Sequence, residues 1–235
     1  MYFFQGGYSL YLCFTLPALL LGFWAQARVR SAFAKYSRIR NGAGISGMEV
    51  AQRMLMNAGI SDVSVEQTRG MLSDHYDPSK RVLRLSPEIY GGNSIAAAGV
   101  AAHEASHAIQ HAEGSLMLQV RSAMVPSVQI GSWLGPIIFI IGLLLQSSFG
   151  DNVALVGLGL FGLTALFAVI TLPVEIGASR KAKAWLATSG VIYEQERPGI
   201  NRVLDAAALT YVAAAIQAIS TLLYYAFLLF GRRRD

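Results

Sequence analysis

The sequence predicts a mainly α-helical membrane protein with about four transmembrane helices and one cytoplasmic α+β region, which contains a short strand pair and a helix with the pattern His-Glu-x-x-His. Hydrophobic residues make up 54% of the 235 residues and charged ones only 14%, whereas a typical soluble domain is about 25% charged. The apolar residues form four uncharged runs, and one long polar stretch separates the first run from the second. Together these observations exclude an ordinary soluble domain.

Each of the four runs is long enough to cross a bilayer as a helix, which takes about 20 residues. We assign transmembrane helix 1 to residues 8–27, a hairpin of helices 2 and 3 to 127–173, and helix 4 to 206–231. A cleaved signal peptide is the alternative for the first run. No positive charge precedes that run and its apolar part is long, so a retained anchor is favoured. Cys13 is the chain's single cysteine, which excludes a disulfide framework and a cysteine metal site.

The distribution of basic residues predicts the orientation in the membrane. The polar stretch 28–124 holds 11 Arg and Lys, the segment 174–204 holds five, and none precedes the first run. By the positive-inside rule, both segments lie in the cytoplasm. The C-terminal sequence GRRRD conflicts with this orientation, because four spans return the C-terminus to the outside. We interpret the net charge of +5 as membrane topology, with the lipid bilayer as a partner and no nucleic acid.

Local signals predict the elements of the polar stretch. Ser46 followed by Glu49 three residues later has the form of a capping box and predicts a helix. Residues 63–68 and 81–86 are predicted as two short strands. Residues 73–80 are predicted as the loop between these strands, because they contain an Asp-Pro turn signal.

A helix predicted over residues 94–113 carries the pattern His-Glu-x-x-His. His103 and His107 are one turn apart on one face, so both imidazoles can bind one metal ion. Glu104 is rotated by about 100° from His103, which suits a general base beside a zinc-activated water better than a third ligand. The small apolar neighbours predict a buried helix, in which unpaired polar groups are costly. A zinc site is therefore favoured over two hydrogen-bonded core histidines.

A catalytic zinc site needs a third protein ligand. His111 continues the series of histidines, but it lies about 12 Å along the helix from His103 and cannot share the ion. The remaining candidates are His75, Asp74, Asp77 and Glu175. Glu175 is either a ligand or an acidic residue in the first turn of a helix that begins at Pro173. The hairpin 127–173 returns the chain to the side of the histidine helix, which favours the ligand.

The chain resembles the YugP-like neutral zinc metallopeptidases of bacterial membranes, whose layout is similar to that of the HtpX-like proteases and the CAAX prenyl proteases of gluzincin type. The segments that carry the resemblance are LSDHYDP, LRLS, AAHEASHAIQH, LPVEIGASRKA and AALTYVAAA. The resemblance implies a zincin-like catalytic region at the bacterial cytoplasmic membrane and a peptide or membrane-protein substrate. It also implies one Zn²⁺ per chain, held by His103, His107 and Glu175, with Glu104 as the catalytic base.

One position departs from the HtpX pattern. Four residues after the ligand glutamate, that pattern has an aspartate, whereas this chain has Ser179. Serine orients a metal-bound histidine more weakly than a carboxylate does. The candidates for the residue that stabilises the oxyanion are Tyr76, His75, Arg180 and Tyr193, and the sequence does not discriminate between them.

These features predict an integral-membrane zinc metallopeptidase, an endopeptidase that hydrolyses peptide bonds at the cytoplasmic face. The alternative is a membrane scaffold or assembly factor with a structural or inactive zinc site, which needs ligands but no base. A transporter is disfavoured, because the predicted spans carry almost no ionisable residues. We interpret strand 81–86 either as an interior strand or as an edge that takes an extended substrate.

Overall fold

The structure is a computed structural model that describes residues 2–231, with side chains from residue 12 onward. Met1 and residues 232–235, which include the arginines of the GRRRD tail, lie outside the described part. The elements are α1 (Tyr2–Tyr36), α2 (Gly47–Asn57), β1 (Ser64–Gln67), β2 (His75–Asp77), β3 (Val82–Leu85), α3 (Pro87–Tyr90), α4 (Ile95–Ala112), α5 (Leu116–Leu144), α6 (Ser148–Thr188), a 3₁₀ turn (Glu194–Glu196) and α7 (Arg197–Gly231).

The predicted mainly helical fold, with four membrane-capable helices and a small sheet, is confirmed for the described residues. Four helices, α1, α5, α6 and α7, are long and apolar enough to cross a membrane. The capping box is present at the start of α2, where Ser46 and Glu49 bond to each other's backbone N–H groups. At the start of α4, Ser94 Oγ accepts a hydrogen bond from Ala97 N at 3.0 Å.

The predicted strand pair belongs to a three-stranded sheet of order β1-β3-β2. β1 is parallel to β3, and β2 is antiparallel to it with Tyr76 opposite Leu83. β2 lies in the segment 73–80 that was predicted as a loop, and that prediction is wrong for these three residues. Because β3 pairs on both sides, it is an interior strand. The interpretation of strand 81–86 as an edge that takes an extended substrate is therefore wrong.

Helix α6 continues through Pro173, which lies inside the helix. The interpretation in which Pro173 begins a helix and Glu175 occupies its first turn is therefore wrong. Proline is tolerated inside membrane helices, because neighbouring groups satisfy the carbonyl that it leaves without a donor.

The chain divides into two compact units, and the first comprises Met1–Trp24, Val120–Leu172 and Thr210–Asp235. In this unit α5 and α6 approach closely at glycines. A Cβ added at Gly135 would lie 2.9 Å from Phe161 N, and one added at Gly157 would lie 2.3 Å from Phe139 N. Small residues are the usual basis of helix packing in membranes, where apolar burial against another helix gains little over burial in lipid.

The second unit comprises Ala25–Gln119 and Pro173–Leu209. Its hydrophobic core surrounds α4, which presents a run of fully buried alanines: Ala96, Ala97, Ala98, Ala101, Ala102 and Ala105. Small side chains allow close neighbours, and a Cβ added at Gly99 would lie 3.5 Å from Ile200 of α7. The start of α4 is also tied to the chain after α1, because Ile95 N donates to Ile39 O at 2.8 Å. These contacts hold α4 from several sides.

We expect Gly157→Leu to destabilise the α5–α6 packing, because the new side chain meets the backbone of Phe139. Overpacking of this kind costs about 1–3 kcal/mol. Gly159→Leu is the matched control, since no atom lies within 4 Å of a Cβ added there. The measurement is the fraction of each variant that stays monodisperse after heating in detergent. Equal loss in the two variants would contradict close packing at Gly157.

Candidate metal centre

Three buried side chains of the second unit converge on one point. His103 and His107 lie on one face of α4, and Glu175 lies on α6. Glu175 Oε2 is 3.1 Å from His103 Nε2 and 3.5 Å from His107 Nε2. His103 is 8% exposed, His107 6% and Glu175 1%. A carboxylate buried this deeply is costly unless a charge or donors match it, and both imidazoles face it.

This geometry fits a zinc ion. Zinc binds His nitrogen and carboxylate oxygen at about 2.0–2.2 Å in a tetrahedral arrangement, which separates two ligand atoms by about 3.3 Å. The separations of 3.1 and 3.5 Å bracket that value. Ligand atoms of the three residues all lie within 4.8 Å of one another. Two imidazoles and one carboxylate are also the ligand types of zinc hydrolases.

The outer nitrogens of both imidazoles have polar partners. His107 Nδ1 lies 3.0 Å from Gln110 Oε1, and Gln110 Nε2 donates to Val174 O at 2.9 Å. Since the amide nitrogen of Gln110 is the donor to Val174, its oxygen accepts from the Nδ1–H of His107. The Nε2 of His107 is then free of a proton for a metal. One amide therefore fixes the tautomer of His107 and ties α4 to the residue before Glu175.

His103 has a different partner. Its Nδ1 lies 3.1 Å from Ser179 Oγ, and Ser179 is one turn after Glu175 on α6. Ser179 is 5% exposed, so water does not compete freely for this contact. The departure from the HtpX pattern thus leaves a hydroxyl in contact with His103.

The electrostatic environment of His107 favours a cation. Burial alone would lower the pKa of His107, but the hydrogen bond to Glu175 and the charges of Glu104 and Glu175 outweigh it, and the pKa is raised above its usual value. In the absence of metal, the negative charges therefore attract a proton to Nε2 of His107, the nitrogen that faces Glu175. A metal ion would replace that proton, because histidine ligands bind metals in the neutral form.

Glu104 lies beside the group rather than in it. Ligand atoms from His103, His107 and Glu175 make up the cluster, and Glu104 is outside it. Glu104 is half-buried, whereas its neighbours Ala102, His103 and Ala105 are buried. A carboxylate in this position can meet water next to the metal group, which is what a general base requires.

The structure does not bring the other ligand candidates into the group. His75 is exposed, and its Nδ1 lies 2.8 Å from Ser73 O. Asp74 accepts from the backbone N–H of Ser86 at 2.8 Å. Asp77 accepts from Ser79, Lys80 and Arg84, and these bonds lower the pKa of Asp77 to about 2. The two carboxylates are thus engaged in local structure.

The candidates for oxyanion stabilisation differ in their exposure and in their contacts with α4. Arg180 and Tyr193 are exposed. Tyr76 is half-buried, and its hydroxyl lies 2.8 Å from Nδ1 of His111, one helical turn after His107. Of the four candidates, Tyr76 is the one that contacts α4 through a histidine. His111 is thus a partner of a tyrosine and not a member of the metal group.

Gln110 also belongs to the site, although the sequence did not predict a role for it. The available signal was its spacing, since Gln110 follows His107 by three residues on the same helix and so shares its face. It was also a polar side chain in a helix predicted to be buried, and such a side chain needs a partner.

Comparison with known proteins gives the class of the chain. Residues 11–230 match the family described as "Putative neutral zinc metallopeptidase", and the chain belongs to this family. It is also similar to a protein of Bacillus subtilis (strain 168) named "Putative membrane protease YugP". The two are 45% identical over 228 residues, which cover 96% of this chain and 99% of that protein. No solved structure matches the chain.

These matches confirm the resemblance found in the sequence motifs. Membership of the family implies zinc as the metal. Together with the four membrane-capable helices, the similarity to a membrane protease makes the chain an integral membrane protein with a protease role.

We expect Gln110→Met to weaken zinc binding by about 10–100-fold, which is typical for loss of a residue that orients a metal-bound histidine. Methionine keeps most of the volume but cannot accept from His107 or donate to Val174. Gln119→Met is the control, since Gln119 is exposed on α5. Zinc affinity is measured by competition with a chromophoric chelator. Unchanged affinity in Gln110→Met would show that the amide does not position His107.

Proposed function

We propose that the protein is a zinc-dependent endopeptidase in which His103, His107 and Glu175 hold one metal ion and Glu104 is the general base. The approach of Glu175 Oε2 to Nε2 of both histidines, at 3.1 and 3.5 Å, carries this proposal. The name of the similar protein, a membrane protease, supports the same activity for this chain.

Each residue then has a chemical role. A zinc ion held by the three side chains would act as a Lewis acid toward a peptide carbonyl and would make a water molecule more acidic. Glu104 takes a proton from the attacking water and passes it to the leaving amine. Glu175 offsets part of the metal's charge, while Gln110 and Ser179 hold the two imidazoles in orientation.

The number of ligands supports hydrolysis over a structural role. A structural zinc site usually has four protein ligands, whereas a catalytic site has three and an open position. Within the described residues, the metal-ligating group that contains the two histidines has three members. The half-buried position of Glu104 beside this group is further support, because a scaffold needs no base.

We further propose that the centre faces the cytoplasm. The second unit contains 15 of the 19 basic residues that the sequence holds, and by the positive-inside rule such segments stay on the cytoplasmic side. The substrates are then peptides or membrane proteins with segments on that side.

Glu104→Gln tests the enzyme proposal. Glutamine keeps the volume but is not a base, so we expect normal zinc content and a peptide hydrolysis rate lower by about 10²–10⁴-fold. Glu175→Ala should lose both zinc and activity. Glu113→Gln, at the exposed C-terminal end of α4, should keep both zinc and activity. The measurements are metal analysis of the purified protein and cleavage of a peptide mixture followed by mass spectrometry.

Two results would contradict the assignment. Loss of zinc in Glu104→Gln would make Glu104 a ligand, and full activity in that variant would remove the His-Glu-x-x-His helix from catalysis. A Glu104→Gln protein that keeps its biological effect without hydrolysis would favour the scaffold.

Single cysteines test the orientation. In a Cys13→Ser background, we expect Asn57→Cys and Thr188→Cys to resist an impermeant maleimide in intact cells and to react after permeabilisation. Ser148→Cys, at the start of α6, should react in intact cells. All three positions are exposed, so burial does not explain protection. Labelling of Asn57→Cys or Thr188→Cys in intact cells would reverse the proposed topology.

A further inference from the structure

The second unit contains a pocket whose lining includes no residue of the metal centre. It is a pocket of about 330 Å³ between the C-terminal part of α1 and the beginning of α7. We call it the basic pocket. Its lining residues are Arg28, Ser31, Ala32, Lys35, Tyr36, Arg202 and Ala206. The α1 residues repeat at intervals of three or four, so they form one face of that helix.

The charge of the basic pocket has one sign. Three of its lining residues are cationic, Arg28 and Lys35 from α1 and Arg202 from α7, and none is acidic. Asp205 lies on α7 next to the lining residue Ala206, but its carboxylate accepts from Lys183 Nζ. Two helices far apart in sequence thus bring three positive charges to one cavity.

Tyr36 contacts two of these cationic side chains, Lys35 and Arg202. Its side chain is 7% exposed and belongs to the hydrophobic core. Arg202 Nη1 donates to the Tyr36 hydroxyl at 3.4 Å, and Lys35 Nζ lies 5.4 Å from the centre of the ring. The ring is closely packed, since a Cβ added at Gly199 would lie 2.8 Å from it. Lys35 and Arg202 therefore lie against a fixed ring, which lowers the conformational entropy that these side chains lose when a ligand binds.

We propose that the basic pocket binds a phosphate group. Arginine forks and lysine ammonium groups are the side chains that proteins use for phosphate, and the hydroxyl of Ser31 adds a donor. The volume accommodates a phosphate with a small polar substituent, and a lining with three basic side chains and no acidic one favours an anionic ligand. This site does not depend on the proposed peptidase activity.

Such a phosphate has two sources, an anionic phospholipid headgroup or a soluble phosphate compound. The sequence bears on this choice, because Arg28 directly follows the apolar run 8–27. Basic residues just beyond a membrane span meet the headgroup layer of anionic lipids. The basic pocket has the same chemistry for either source, and the experiment separates them.

The test compares two double variants that each remove two positive charges. Arg28→Gln with Arg202→Gln changes the basic pocket. Arg30→Gln with Arg53→Gln changes exposed arginines outside it. The full-length protein is placed in nanodiscs of phosphatidylcholine, and binding of phosphatidylglycerol is measured by native mass spectrometry. Inorganic phosphate is titrated in a second arm with phosphatidylcholine alone.

We expect one phosphatidylglycerol per chain for the parent and the control, and binding about 30-fold weaker for the pocket variant, from the loss of two basic residues. If inorganic phosphate binds the parent and phosphatidylglycerol does not, the source is a soluble phosphate. Equal affinities in the pocket and control variants, or no binding of either ligand by the parent, would overturn the proposal. Unchanged thermal unfolding of both variants excludes misfolding as the cause.

Discussion

A buried carboxylate that must have its charge matched is the constraint on which the second unit depends. Glu175 is 1% exposed, and an unpaired charge at that depth would cost several kcal/mol. Its match is a pair of imidazoles one turn apart, which only a fixed helix supplies. The alanine core around α4, the amide of Gln110 and the hydroxyl of Ser179 all serve this pairing. The packing around α4 and the geometry of the metal group therefore both depend on the pairing of Glu175 with the two imidazoles.

Features with a local physical basis could be predicted from the sequence. The histidine helix depends on spacing within one element, the capping box on Ser46 and Glu49, and the spans on uninterrupted apolar runs. The role of Glu175 does not follow from local patterns, since neither its residue type nor its neighbours distinguish a metal ligand from an acidic residue in a first helical turn. The return of the chain after the hairpin favoured the ligand, and the structure brings Glu175 to the two histidines.

Other features depend on partners distant in the chain, which local patterns do not show. β2 has three residues in a polar segment and exists because β3 pairs with it. Gln110 acquires its role only where Val174 lies within 2.9 Å. In a soluble protein a proline usually marks the start of a helix, because it has no backbone N–H for a hydrogen bond inside one. Membrane helices tolerate an internal proline, and α6 continues through Pro173.

The separation of the site residues along the chain determines when the metal group becomes complete during synthesis. His103 and Glu175 are 72 residues apart, and α5 with most of α6 lies between them. During synthesis the histidines leave the ribosome long before the carboxylate does. α5 and the first part of α6, which are long and apolar enough to cross a membrane, are synthesised between them. A chain that has not yet reached Glu175 therefore lacks one of the three members of the metal group.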